Sequence, residues 1–381
     1  MRGPPVRSRT GGGSWGGDRV LAEPPGAVDT ARPGRVEDPV IVPLLILGIR
    51  RALWAPALVV LAAALAGCDS PNTMLDPQSE PARQITTLWW WMLAAAGVVF
   101  AGTLGFIGLS YVLRHRKGAP LIGESEGATR GLVFLFGFGL PIVVLIGVFT
   151  VANFAVASRT DAPPRAATDM TIHVTGRQWW WEVRYPGTRA VTANEVHIPV
   201  RTRVNVEVST ADVIHSFWIP QLNRKIDLVP GQVNRVELTA DRAGRYEGNC
   251  AEYCGLQHAH MRMVVIAQPR ADFARWLRAE AADAPAPSSA QARRGQAEFM
   301  ADTCASCHQI RGTRADGRVG PDLTHLQQRA TLAALTIPND RRSLSRWIRD
   351  PQHIKRGARM PGLPLSDRQF DEILAYLEGL R

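Results

Sequence analysis

Residues 250–261 read Cys250-Ala-Glu-Tyr-Cys254-Gly-Leu-Gln-His258-Ala-His-Met261, and His215 stands upstream in Asp212-Val-Ile-His215-Ser-Phe-Trp-Ile-Pro220. Two thiolates, two imidazoles and a thioether are soft to borderline ligands, a set that selects copper or zinc over calcium or magnesium. Copper is the better fit. One Cys, two His and one Met would make a mononuclear blue-copper site. The second Cys, four residues along, puts two sulfurs at one edge of the loop, and two sulfurs can bridge two metal ions. A zinc site from the same ligands and a Cys250–Cys254 disulfide in an exported domain are the plainer alternatives. His260 and Met263 fall off the pattern and read as ordinary strand residues.

Around this loop, short runs alternate with the strand period: Met170-Thr-Ile-His-Val, Val204-Asn-Val-Glu-Val, Val233-Asn-Arg-Val-Glu-Leu and Met263-Val-Val-Ile. Pro230-Gly231 and Ala243-Gly244 supply turns. An all-β sandwich over 168–270 is expected, closed by a helix from Asp272 to Ala282 that carries Phe273, Trp276 and Leu277. Residues 283–290, Asp-Ala-Pro-Ala-Pro-Ser-Ser-Ala, are a linker by composition.

After the linker comes Cys304-Ala-Ser-Cys307-His308, the attachment signature of a c-type haem. Two cysteines three apart on a helical turn suit thioethers to two vinyl groups, and the adjoining imidazole then points at the iron from the same side. A redox dithiol or half a zinc site would need no His at that position. The second axial ligand is assigned to Met360, in Ile354-Lys-Arg-Gly-Ala-Arg-Met360-Pro-Gly, because His/Met ligation suits electron transfer and raises the potential. Met300 is too close to Cys304 to reach the far face of the haem, and His325 and His353 read as surface or loop residues. Residues 291–381 thus form a small all-α cytochrome c domain, ending in a helix from Asp367 to Leu380 with Phe370, Ile373, Leu374 and Leu377 on one face.

Upstream of the sandwich, apolar segments at 87–113 and 131–156 are each long enough to cross the hydrocarbon layer. Trp89, Trp90 and Trp91 open the first, where aromatic rings favour the headgroup region. The loop between them carries Arg114-His115-Arg116-Lys117 and Arg130, so the positive-inside rule puts it in the cytoplasm and everything after about residue 157 outside. Residues 1–40 are rich in Gly, Pro and Arg, without apolar periodicity, and cannot pack a core; whether they are translated is left open. A signal-peptide pattern starts at Arg50-Arg51 and ends in Leu65-Ala66-Gly67-Cys68, which resembles a bacterial lipobox. An uncleaved apolar segment with a buried Cys is the alternative for 1–67.

The 381 residues hold 44 Lys and Arg against 34 Asp and Glu, a net charge of +10. Lysine occurs only at 117, 225 and 355, so the excess lies in arginine, and no basic stripe interleaved with aromatics argues for nucleic acid. The cytochrome part from Gln291 has 15 basic and 10 acidic residues, which favours an acidic donor surface if charge steers docking.

The pattern His, then Cys-x-Glu-x-Cys-x-x-x-His-x-x-Met resembles the binuclear copper (CuA) domain of subunit II of haem-copper cytochrome c oxidases, and every position is filled. The resemblance implies a cupredoxin-like Greek key in which Cys250 and Cys254 bridge two coppers and His215 and His258 each bind one. It implies that Met261 is a weak ligand, that Glu252 gives its backbone carbonyl, and that the Glu252 carboxylate helps hold magnesium facing subunit I. In the stretch Gly176-Arg-Gln-Trp-Trp-Trp, it makes Trp179 the residue where electrons enter; packing is the plainer alternative for all three tryptophans, and the preferred one for Trp180 and then Trp181. Asp212, Lys225 and Asp227 match the family segment around the first His, and Gly320-Pro321 the one whose Pro carbonyl accepts from the proximal His.

With the haem domain attached, the chain resembles subunit II of a caa-type oxidase. That implies a two-pass protein of the bacterial inner membrane, with the copper and haem domains on the periplasmic or extracellular side. It would be the electron-transfer subunit of a proton-pumping enzyme. Its partners would be subunit I, where dioxygen is reduced, subunit III, and a cytochrome c or cytochrome c reductase complex as donor. One departure concerns protons: the Glu and Trp usual before the Pro of the second span are Phe134 and Gly137, and Glu124, Glu126 or subunit I would have to serve instead. The rival reading is a free-standing membrane-anchored copper and haem shuttle. A quinol oxidase subunit lacks the copper ligands, a copper chaperone has no use for haem, and nitrous oxide reductase lacks the two-helix anchor.

Overall fold

The computed structural model describes residues 72–113, 126–161, 164, 167–301 and 303–381. The expected leader with Cys68, the basic run 114–117 and Glu124 lie outside these residues.

Two five-stranded sheets face each other, one in the order β3-β2-β1-β5-β8 and the other β4-β10-β9-β6-β7. Their strands are β1 Met170–Arg177, β2 Trp180–Arg184, β3 Val191–Ala193, β4 Glu195–Pro199, β5 Val204–Thr210, β6 His215–Trp218, β7 Ile226–Leu228, β8 Asn234–Leu238, β9 Gly244–Cys250 and β10 Arg262–Gln268. β1 and β5 run parallel, in a register that sets Ile172 beside Val206 and Val174 beside Val208. All four are buried, while His173 between them is exposed. The alternation therefore fixes which face is core, because a slip of one residue would turn every valine outward. Trp181 and Phe217 meet edge to face at 5.7 Å in that core.

Two long apolar helical rods precede the sandwich, each long and apolar enough to cross a membrane. The first, α1, spans Glu80–Leu113, seven residues longer at its start than the apolar segment expected. Ser79 is the reason. Its hydroxyl accepts from Ala82 N–H and donates to the Leu222 carbonyl of the sandwich, so the helix starts on the sheet domain. The second rod begins at α2 Glu126–Phe134, widens into a π turn at Leu135–Gly139, continues as α3 Leu140–Val151, widens again at Ala152–Ala157 and ends in α4 Ser158–Thr160. Pro141 has no N–H to donate, which accounts for the first π turn. Arg224 of the sandwich binds Asp161 at 2.7 Å at the end of this rod. Both rods are thus tied to the sheet domain at the same side.

Helix α5, Arg270–Glu280, closes the sandwich, two residues earlier at each end than expected. The haem-type domain follows, with α6 Ala290–Ala301, α7 Cys304–Cys307, α8 Arg341–Arg349, α9 Pro351–Ile354 and α10 Asp367–Leu377. A Cβ on Gly295 of α6 would lie 1.8 Å from the Glu372 carbonyl oxygen of α10, so these helices cross backbone to backbone and only glycine fits. α10 ends at Leu377 rather than Leu380; Gly379 breaks the helix, though Leu380 stays buried.

Segment 283–290 is not a free spacer. Asp283 pairs with Arg189 and the Ala284 N–H donates to the Arg311 carbonyl at 3.0 Å. Three expectations change here. His325 is buried, with one ring nitrogen 3.0 Å from the Arg381 carbonyl and the other 3.2 Å from the Ala282 carbonyl, so it is a seam residue and not a surface one. His260 lies in an exposed 3-10 turn at His258–His260, not in a strand. Trp180 is half-exposed, with the Arg177 guanidinium over its ring at 5.7 Å, while Trp181 is the one fully in the core.

Glu280, at the end of α5, is 2 % exposed and has a carboxyl oxygen with no hydrogen-bond partner. Burial pushes its pKa up to about 8, although Arg329 and Arg311 nearby pull it down. A carboxyl whose folded pKa is raised gives stability that is complete below its unfolded value, near 4.5, and that is lost as pH rises through about 8. Glu280→Gln is expected to raise the melting temperature by a few degrees at pH 8, to leave it unchanged near pH 4.5, and so to flatten the pH profile measured by calorimetry. Parallel profiles for variant and parent would refute this.

Candidate metal centre and haem cavity

His215 opens β6, Cys250 ends β9, and the loop from β9 to β10 brings Cys254, His258 and Met261 back beneath them. Phe217 pairs with Cys250 across β6 and β9, which fixes the histidine against the first cysteine. The Cys250 and Cys254 sulfurs lie 3.8 Å apart, far beyond the roughly 2.05 Å of a disulfide. Cys250 Sγ is 3.9 Å from His215 Nδ1 and 3.2 Å from the Glu252 carbonyl oxygen. Cys254 Sγ is 3.7 Å from both His258 Nδ1 and Met261 Sδ. The donors therefore fall into two half-sites, each with one imidazole nitrogen and one weak donor, sharing a central pair of sulfurs. That arrangement suits two metal ions bridged by two thiolates better than one ion. His215, Met261, Cys250 and Cys254 are buried, and His258 and Glu252 are half-buried.

The surroundings set which atoms face inward. Asp212 Oδ1 is 2.8 Å from His215 Nε2, so Nδ1 is left for the sulfur side. Burial works against the Asp212 carboxylate, but the Gln178 N–H, His215 and the Val213 N–H together hold its pKa below the usual value. Burial likewise opposes charge on His215, and Cys250 and Asp212 outweigh it and raise its pKa. Of the two thiols, contact with Cys254 pulls Cys250 strongly down and the same contact pushes Cys254 up. Two thiolates this close repel, so a cation is needed to hold both.

The haem-type motif sits on its own cavity. Cys304 and Cys307 line it with His308, and Met360 lines it too, between apolar walls that include Phe299, Leu323, Leu344 and Ile373. An apolar slot with two thiols and one imidazole from one motif, and a thioether from another segment, fits a covalently held macrocycle. His308 Nδ1 is 2.8 Å from the Pro321 carbonyl oxygen, which leaves Nε2 for the cavity. Burial lowers the His308 pKa, which keeps the ring neutral and ready to ligate. A Cβ on Gly320 would lie 2.5 Å from His308 Cε1, so this close approach needs glycine.

Trp179 joins the two sites. Its indole N–H donates to the Cys254 carbonyl at 2.9 Å, the Gln178 side-chain amide donates to the same oxygen at 2.8 Å, and both residues line the haem-type cavity. Glu252, by contrast, faces outward near Lys225 at 3.9 Å, and Lys225 is 3.8 Å from Asp227. Glu126 is a solvent-facing residue in the first turn of α2, paired with Arg130 at 3.0 Å. Sequence reasoning missed Lys355, which is 4 % exposed and donates from its ammonium to the Trp179, His260 and Ala333 carbonyls at 2.9, 2.8 and 3.1 Å. Its rarity in an arginine-rich chain was one signal, and its place in Lys355-Arg356-Gly357, where the resembling family segment has Lys-Pro-Gly ahead of Met-Pro, was another.

Residues 189–268 match the family described as cytochrome C oxidase subunit II, periplasmic domain, and residues 292–381 match the cytochrome c family. Cytochrome c oxidase subunit 2 of Alkalihalophilus pseudofirmus is 36% identical over 246 residues, spanning 64% of this chain and 71% of its own length. The Bacillus subtilis protein of the same description is 31% identical over 254 residues, again 64% of this chain and 71% of that one. The crystal structure of the periplasmic domain of subunit II of cytochrome oxidase from Bradyrhizobium japonicum aligns at 32% identity over 31% of this chain and 96% of its own, with a TM-score of 0.30.

One packing test follows from the His215 setting. A Cβ on Gly176 would stand 2.8 Å from the His215 ring. Gly176→Ala is expected to destabilise the chain by about 1–3 kcal/mol, the usual range for overpacking, and to displace the imidazole. The midpoint of urea unfolding in detergent checks it; an unchanged midpoint would show that the ring can shift freely.

Proposed function

The chain belongs to the cytochrome c oxidase subunit II family, and on that footing we propose that it is the electron-accepting subunit of a proton-pumping oxidase in the bacterial inner membrane. Haem c and the binuclear CuA centre, when bound, supply reversible one-electron steps from an external cytochrome c or reductase complex toward the dioxygen-reducing subunit I. The observation that carries this reading is the position of Trp179, which lines the haem-type cavity and donates a hydrogen bond to the carbonyl of Cys254.

The chain's own groups take defined roles in this reading. Cys250 and Cys254 would hold the two metals between them, with His215 and His258 as imidazole ligands and Met261 and the Glu252 carbonyl as weaker donors. Asp212 holds the His215 ring in the ligating orientation by its contact with Nε2. Cys304 and Cys307 would attach the haem, and His308, oriented by the Pro321 carbonyl, and Met360 would ligate its iron. Burial of the donor atoms keeps water out and limits rearrangement when charge changes. Trp179, which lines the haem-type cavity and donates to the Cys254 carbonyl, would be the residue through which electrons enter the copper centre.

The outward face suits a partner in the membrane. Glu252, Lys225 and Asp227 form a half-exposed charged group beside the copper loop, on which subunit I would dock and where the Glu252 carboxylate would help hold magnesium. Subunit III belongs to the same complex. The two apolar rods, tied to the sandwich by Ser79 and Arg224, keep the centre close to the membrane surface, with both redox domains on the periplasmic or extracellular side.

Two measurements test this. The isolated protein is expected to bring haem a and a polytopic partner with it, and its oxidised form to show the paramagnetic signature of one unpaired electron shared over two coppers. A single-copper spectrum, or a stable chain purified alone, would sink the reading. Met360→His is expected to lower the haem midpoint potential in redox titration while the haem stays covalently attached; loss of the attached haem would refute the ligand assignment.

A further inference from the structure

The segment that ends in Met360 is also the segment that touches the copper domain. Within residues 355–360, the Arg356 carbonyl accepts from the Gln257 side chain at 2.6 Å. Arg359 donates to Gln178 Oε1 at 3.1 Å and stands 3.7 Å from Asp212, the carboxylate that orients His215. Gly357, at φ +82°, turns the strap so closely over Leu256 that a Cβ would come within 2.6 Å of Leu256 Cδ2. Lys355 lies at the centre of this contact.

Its setting is unusual for a lysine. An ammonium has three donors and no acceptor, and here each donor has a carbonyl: Trp179 beside the copper ligands, His260 in the copper-loop turn, and Ala333 in the haem-type domain. Among the described residues no carboxylate forms an ion pair with it. Burial lowers its pKa to about 7, and the charge of the nearby Cys254 sulfur pulls the other way. A buried cation whose hydrogen bonds all go to backbone carbonyls is a weak source of stability but a strict geometric requirement.

A second observation points the same way. Ala333, Ala334 and Leu335 have φ of 53°, 59° and 62°, three successive non-glycine residues in the left-handed region. Such a turn persists only where its surroundings hold it. The carbonyl that opens it is held by Lys355 from one side and by the Thr336 hydroxyl, at 2.6 Å, from the other. Backbone strain on one domain is thus stabilised by the same ammonium that grips the other.

We propose that Lys355 is a positioning residue: it pins the Met360-bearing strap onto Trp179 and the copper-loop turn, so that the haem-type cavity and the metal cluster keep one fixed relation instead of docking and parting. This rests on the functional reading above. It also means that Trp179 is covered by the chain's own haem domain, so an outside electron donor meets the haem domain first.

The test uses the whole oxidase complex with parent, Lys355→Met and Lys355→Arg chains, and follows hydrogen exchange in 178–181 and 256–261 beside internal electron transfer from reduced haem c to oxidised copper. In Lys355→Met, exchange is expected to be about tenfold faster, through local opening of the seam, and internal transfer to be markedly slower. The spectra and midpoint potentials of both centres should match the parent, and Lys355→Arg, which keeps a cation and N–H donors, should recover part of the loss. Parent-like exchange and transfer in Lys355→Met would overturn the proposal. If that variant does not assemble, Gln257→Ala is measured the same way; it leaves the ammonium in place, a smaller loosening is expected, and none would overturn the proposal. A parent complex without the two spectroscopic centres would instead overturn the functional reading, so the two failures are distinct.

Discussion

Two sulfurs held 3.8 Å apart and unbonded inside a protein are the constraint around which the exported part is arranged. Left to themselves, two neighbouring thiols would form a disulfide or share a proton, and the opposed shifts of Cys250 and Cys254 show the second tendency. Keeping them ready for a cation needs a scaffold stiff enough to fix both. A β-sandwich supplies one, since its core is packed from both faces and its loops are anchored at each end. β9 and β10 pair along their length on either side of the cysteine loop, from Arg262 opposite Asn249 to Ala267 opposite Gly244. The loop is therefore clamped at both ends, and its bends are set by the ligands it must present.

That stiffness extends to the details around each histidine. Gly176 makes room for the His215 ring and Gly320 for the His308 ring. In both places a missing Cβ is the device, and in both the other ring nitrogen is taken, by Asp212 or by the Pro321 carbonyl. The two centres belong to unrelated folds yet use the same means: remove a side chain beneath the ring and occupy the nitrogen that must not ligate.

How much of this was legible in the sequence depended on the range of the interaction. Cys250, Cys254, His258 and Met261 lie within twelve residues, and Cys304, Cys307 and His308 within five, so spacing alone announced them. His215 needed strand pairing to reach its place, and only its Asp-Val-Ile-His setting pointed to it. The apolar rods were visible from composition, but not their starts, because Ser79, which caps α1, is fastened by its hydroxyl to a carbonyl 143 residues away. The seam was invisible. His325 reads as a surface or loop residue and 283–290 as a spacer, and nothing local to them or to Lys355 shows that another domain will cover them. Residue types describe preference for water; they do not say which neighbour will exclude it.

The seam changes how the tether is understood. A short flexible linker would already give the haem domain an effective concentration in the millimolar range at the copper domain, enough for frequent encounters. Frequent encounters are not the same as a fixed geometry. Electron transfer over a gap is sensitive to small displacements, and a domain that samples many poses is in the productive one only part of the time. Here Asp283 and Ala284 fasten the linker, Arg311 reaches back to the Glu280 and Ala282 carbonyls, and Ala330 N–H donates to Glu195 at 3.0 Å. With Lys355 on the other side of the cavity, the haem domain is held at two separated places, which suppresses rotation as well as separation. In the proposed route, with the internal step at a fixed geometry, the encounter left to diffusion would be the one between an outside donor and the haem domain. That domain's excess of arginine would then bear on the rate of that encounter through long-range charge, a term that salt screens and that the buried seam does not feel.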